Sequence, residues 1–201
     1  SFSGTSANGY GGGAIYNGGG TLEVSNSTFS HSAAPAGCGG TILNAATATV
    51  SGSTFSGSTA QNCGGVIYNA NGTLTISNST FSNNTSTSGD GGAIANVGTM
   101  TVSNSTFSGN SAGNGGGALI NTGAMTLNNS TITANTVNGG DHGGGAIFNN
   151  YAGTLTLNRS LIAGNIDDFA PEIHNSGGTI NANNYNLIGY GGDALSSGFT
   201  P

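Results

Sequence analysis

The chain has 201 residues, of which 34% are hydrophobic, 4% are charged and 39 are glycine. Arg159 is its only arginine, it has no lysine, and its formal net charge is −6. Nucleic-acid partners are therefore excluded, because that affinity rests on many Lys and Arg side chains neutralising phosphates. The same deficit argues against docking on an anionic membrane. No apolar run approaches a transmembrane span, so direct membrane insertion is not expected. No signal peptide is visible, which predicts a mature form or a piece cut from a longer protein. Disorder is not expected either, because disordered chains are usually highly charged and lack regular apolar spacing.

The chain opens on Ser1-Phe2-Ser3-Gly4, which aligns with Thr106-Phe107-Ser108-Gly109 further on. From there a unit of about 26 residues recurs seven times, and such a period marks a solenoid. Each unit begins with a strand of the form G-G-x-I-x-N. Its aliphatic column is Ile15, Ile42, Ile67, Ile94, Leu119, Ile147 and Ile173. A strand of the form T-L-T-V-S follows, with Leu22, Ala48, Leu74, Met100, Met125, Leu155 and Ile180 as its first inward column. A short T-F-S strand closes the unit, with the column Phe29, Phe55, Phe81, Phe107, Ile132, Ile162 and Leu187. Alternation sends every second side chain inward. Strands this short, so regularly spaced, stack in parallel rather than forming hairpins. The fold predicted is an all-β, single-stranded right-handed parallel β-helix over residues 1–187, with three short strands per turn. Residues 188–201 are expected to form a C-terminal tail or strap.

Several polar columns share this register. Asn17, Asn44, Asn69, Asn96, Asn121, Asn149 and Asn175 fall at one position of all seven turns, which predicts a hydrogen-bonded amide ladder. Cys38 and Cys63 each lie four residues before their turn's aliphatic residue. Rungs about 4.8 Å apart bring them within disulfide range, and a disulfide implies an oxidising, extracellular setting.

Two threonine columns point outward from the second strand. One is Thr21, Thr47, Thr73, Thr99, Thr154 and Thr179, with Ala124 in the fifth turn. The other is Thr49, Thr75, Thr101, Thr126 and Thr156, with Glu23 in the first. This flat T-x-T array resembles the ice-binding face of some insect and bacterial β-solenoids, although threonine is also an ordinary strand former. A further outward column, Tyr16, Leu43, Tyr68, Ala95, Ile120 and Phe148, predicts an exposed apolar interaction stripe or a surface covered by a loop or the tail. N-S-T sequons occur at Asn26, Asn78, Asn104 and Asn129, all at one repeat position.

The motifs G-G-A-I, at Gly12–Ile15, Gly91–Ile94 and Gly144–Ile147, and F-x-x-N, at Phe81–Asn84 and Phe107–Asn110, carry a resemblance. The chain is similar to the repeats of polymorphic outer membrane proteins and related bacterial β-helix surface proteins. That resemblance implies secretion, surface display and an adhesive or scaffolding role, with glycans or a host surface as partners.

Catalysis is not expected. A glycosidase needs two facing carboxylates, and only Asp167, Asp168 and Glu172 cluster in sequence. A lyase would want a basic side chain near calcium-binding acids, whereas Arg159 stands alone. Asp141-His142 and His174 have no metal-ligand spacing, and no cofactor is expected. The leading expectation is a secreted structural or adhesive protein that associates end to end into a filament. Ice binding is the alternative, and a carbohydrate-active enzyme comes third.

Overall fold

The computed structural model describes residues 1–182 and 185–189. The expected tail of 188–201 lies outside them except for Ile188 and Gly189. Among the described residues there is no helix, and so none long and apolar enough to cross a membrane.

Each turn contributes to parallel sheets that run the length of the solenoid. The Ile–Asn sheet has seven strands, including Ile15–Asn17, Ile67–Asn69 and Ile94–Asn96. The threonine sheet also has seven, including Thr21–Ser25, Thr73–Ser77 and Thr99–Ser103. The phenylalanine sheet has eight, beginning at Phe2–Ser3 and Thr28–Ser30. A fourth sheet of five two-residue strands, from Ala33–Ala34 to Thr136–Val137, was not among the three expected per turn. Its inward residues are Ala34, Ala60, Ser86, Ala112 and Val137. They are mostly too small to register as a hydrophobic column, which is why the period alone does not reveal it.

Register holds like side chains over one another. Ile67 pairs with Ile42 and Ile94, and Leu74 with Ala48 and Met100. Phe2, Phe29, Phe55, Phe81 and Phe107 stack face to face with centroids 4.7–5.1 Å apart. Phe2 is half exposed, whereas the other four rings are buried; burial of each of those four contributes about 1.5–3 kcal/mol, and each stacked pair adds about 0.5–1.5 kcal/mol. One main cluster runs from Val24 and Phe29 to Ile173 and Ile180. A narrow interior lined on several sides needs few apolar residues per strand, so a hydrophobic content of 34% suffices.

The last rung departs from the expected register. Ile162 pairs with Ile188, and Leu187 pairs with Leu161. Leu187 is 65% exposed, while Ile188 packs against the core. The inward residue of that column is thus Ile188, and the expected boundary after residue 187 falls inside the strand Leu187–Ile188. Two adjacent aliphatic residues make the slip invisible to a pattern, although it exchanges the two faces.

Candidate functional site

The columns differ sharply in what they leave for a partner. The amide ladder is wholly inward. The Nδ2 of Asn17 donates to the Oδ1 of Asn44 at 2.7 Å, and the relation repeats at 2.8 Å from Asn44 through Asn69, Asn96, Asn121 and Asn149 to Asn175. Asn175 ends the run by donating to the carbonyl of Gly178. Most of these amides also donate to a carbonyl just beyond their own strand, as Asn96 does to Gly98 at 3.1 Å. Each therefore fixes the bend into the threonine sheet.

A second amide ladder joins Asn84, Asn110, Asn135 and Asn165 at 2.8–2.9 Å. Its last member donates to the buried carboxylate of Glu172 at 2.6 Å. These asparagines are the N of F-x-x-N and its counterparts after Ile132 and Ile162, so the signal was in the sequence although its role was not. Serines form a third ladder: the N–H groups of Ser27, Ser53, Ser79, Ser105 and Ser130 each donate to the next turn's serine hydroxyl at 3.1–3.3 Å. Asn26, Asn78, Asn104 and Asn129, the sequon positions, are exposed at the adjacent corner with φ between 46° and 52°. Asparagine tolerates that left-handed conformation better than most residues.

Between these ladders lies the threonine face. Thr21, Thr47, Thr73, Thr99 and Thr154 align rung upon rung, as do Thr49, Thr75, Thr101, Thr126 and Thr156. Within the described structure these threonine hydroxyls make no side-chain hydrogen bond. Outward Ser25, Ser51, Ser77 and Ser103 add a third column, which continues as Asn128 and Asn158. Glu23 is the only charged side chain in these columns, and Asn181 ends the second one.

Of the two readings of the apolar stripe, open surface or covered surface, the structure shows cover over its later rungs. Tyr16 is 68% exposed, and Leu43 and Tyr68 are half-buried. Ala95, Ile120 and Phe148 are buried, forming a second small core with Cys63 and Tyr68 packed against it. The loop before each Ile–Asn strand folds over the outside of the sheet. A Cβ placed on Gly91, where φ is +68°, would meet the Ile94 carbonyl oxygen at 2.4 Å and Ile120 Cγ2 at 3.0 Å. Only glycine allows so close a passage.

This covering loop carries the cysteines. Bridge pairings align Gly11, Cys38, Cys63 and Asp90 on successive turns. Cys38 and Cys63 are joined as a disulfide with Cα atoms 4.6 Å apart. Where the column reaches Asp90, a polar clasp takes over. His142 Nδ1 lies 3.2 Å from Asp90 Oδ1 and 2.7 Å from Asn114 Nδ2. Burial pushes the Asp90 carboxyl above its ordinary range, with His142 and Asn114 acting against the shift. The rings of His142 and His174 stack on Phe148 at 5.0 and 5.2 Å.

Two of the three clustered acids have structural partners, and Asp168 is exposed. Asp167 accepts from the N–H groups of Phe169 and Ala170, and Glu172 accepts from Gly164 N–H and the second amide ladder. Among the described residues no three His, Cys, Asp or Glu side chains converge as a metal site.

No curated protein and no solved structure matches the chain. A family model described as the right handed beta helix region matches residues 5–198. That match spans nearly the whole repeat, and the chain belongs to the right-handed β-helix family.

Proposed function

We propose that the chain is a secreted or cell-surface structural and adhesive rod whose working surface is the threonine face. The observation that carries this reading is the run of outward hydroxyls, in register from turn to turn and without partners inside the protein. The amide and serine ladders hold this face rigid, so a partner with repeated hydroxyl groups meets many weak donors and acceptors already in place. Extended carbohydrate is the partner class it fits. The Cys38–Cys63 disulfide supports an oxidising compartment, and the G-G-A-I and F-x-x-N motifs support the likeness to polymorphic outer membrane repeats. The rod acts as a scaffold rather than an enzyme in this reading. End-to-end association belongs to it too, since every turn presents its neighbour with the same pairing register.

Co-sedimentation with insoluble polysaccharides, together with a glycan array, tests the adhesive role. Wild type should be retained, and a Thr75→Tyr/Thr101→Tyr variant should lose at least about tenfold in affinity, or about 1.4 kcal/mol, without unfolding. Binding unchanged by that pair would reject the threonine face.

Ice binding is the second reading, favoured by one feature: two threonine columns on a flat sheet repeat at a single rung spacing. Thermal hysteresis with faceted crystals, abolished in the same double variant, is its expected signature. Round, unshaped crystals in the wild-type solution would end it.

A further inference from the structure

The outer column of the Ile–Asn sheet changes size abruptly at one rung. Ala95 stands between Tyr68 and Ile120, offering one methyl where its neighbours fill the column. The shortfall leaves a hollow of about 140 Å³, lined chiefly by Cys63, Tyr68, Asp90, Ala95, Val97 and Ile120. Its floor is apolar. Asp90 is the only carboxylate in its wall, and it is tied to His142 at 3.2 Å. Burial disfavours ionisation of this carboxyl, so a cation placed beside it offsets the cost of its charge.

Those features select a ligand chemistry. A sugar ring would need several convergent hydrogen-bonding groups, and an uncharged aliphatic group would leave the carboxylate poorly solvated. An aliphatic stem ending in an ammonium group satisfies both the floor and the wall. The net charge of −6, with one arginine and no lysine, draws cations toward these repeats, and none of these 201 residues can supply a lysine. We propose that this hollow receives a lysine side chain of a basic partner protein, with the methylene stem over Ala95 and Ile120 and the ammonium group at Asp90.

The probe is Nα-acetyl-lysine N-methylamide, titrated into the whole chain with alanine methyl groups labelled for NMR. The Ala95 methyl signal should shift and saturate. The neutral isostere Nα-acetyl-norleucine N-methylamide should bind about tenfold more weakly, a difference of about 1.4 kcal/mol. Asp90→Asn should reduce lysine binding to the norleucine level. Ala95→Leu should abolish both by filling the hollow, as Leu43 does two rungs away. If Ala95→Leu fails to fold, the near-isosteric Asp90→Asn decides alone. Absence of a saturable shift, equal binding of the two probes, or unchanged affinity in Asp90→Asn would each overturn the proposal. Free pentane-1,5-diamine binding more tightly than the lysine amide would also overturn it, assigning the hollow to a soluble amine. None of these readouts involves the threonine face, so the two proposals fail independently.

Discussion

The threonine face and the apolar stripe are both outward columns of parallel strands, yet one is open and the other largely roofed. On the threonine sheet the outward residues keep one identity through most turns, and the serine corner beside it repeats as well. That face stays flat. On the Ile–Asn sheet the outward column runs Tyr16, Leu43, Tyr68, Ala95, Ile120, Phe148 and His174. The preceding loop differs from turn to turn and folds over it. A solenoid's pattern therefore specifies which side chains face away from the core, but burial of those side chains depends on loops that do not obey the pattern. The repetitive column offers an extended surface; the varied one supplies a second core, a disulfide, a polar clasp and a hollow.

The largest test of this contrast sets Phe148→Ala against Thr101→Ala. Phe148 is 2% exposed between two histidine rings, so its truncation should cost about 3–5 kcal/mol. Thr101 has no side-chain hydrogen bond to lose, and its truncation should fall within about 0.5 kcal/mol. Urea unfolding of both variants measures the difference. Equal costs would mean that the stripe is surface after all.

A somewhat smaller effect is expected from Cys38→Ser/Cys63→Ser. The bond closes a loop with a sequence separation of 25, and the chain-entropy model gives about 3 kcal/mol for a loop of that size. Urea unfolding of the double variant checks this value. Intact-mass measurement under non-reducing conditions should find no alkylatable thiol in the wild type. Thermal unfolding should also soften first on the stripe side of turns two and three, because the disulfide fastens the covering loop there and leaves the threonine sheet untouched.

Most of the interior was legible in the sequence because alternation and a fixed period both act on it. Ile67, Leu74 and Phe81 could be assigned inward from their columns alone, and so could the ladder through Asn96. Leu187 was misplaced because Ile188 beside it is equally apolar and the last turn changes length. Whether Phe148 is covered could not be read from its column: His174 follows it in register as the next rung, but the turn that lays His142 against its other face lies in a loop outside the strand pattern. Glu172 gave no hint of its role: that a buried carboxylate ends the second amide ladder depends on how the loop of residues 166–172 turns inward, and no periodicity marks that. For the threonine face the sequence gives the columns but not the lack of partners for their hydroxyls, which depends on the geometry of each neighbouring rung.

The finest distinction between the two faces is electrostatic, and it rests on Asp90. The groups facing its carboxyl are His142 and Asn114 from the next two turns; Asp141, beside His142, is exposed. Desolvation outweighs both partners and raises the carboxyl above 3.8. Between the ordinary and the raised value the native state therefore holds a proton that the unfolded state has released, and stability must fall as pH rises through that window. This slope is opposite to that of a salt-bridged aspartate. Asp90→Asn keeps the shape of the side chain but removes this titration, so it should gain on the wild type as pH rises through that window. The effect should be small, because the side chain is partly solvated at 21% exposure and His142 offsets some of the burial cost. Parallel urea titrations of the two proteins, from below the ordinary carboxylate range up to neutrality, measure it. A wild-type curve that climbs across the window would mean that the His142 contact outweighs burial, making the clasp an ion pair that secures the roof of the stripe. A falling curve that Thr101→Ala retains and Asp90→Asn loses would place the cost of charging Asp90 in that roof.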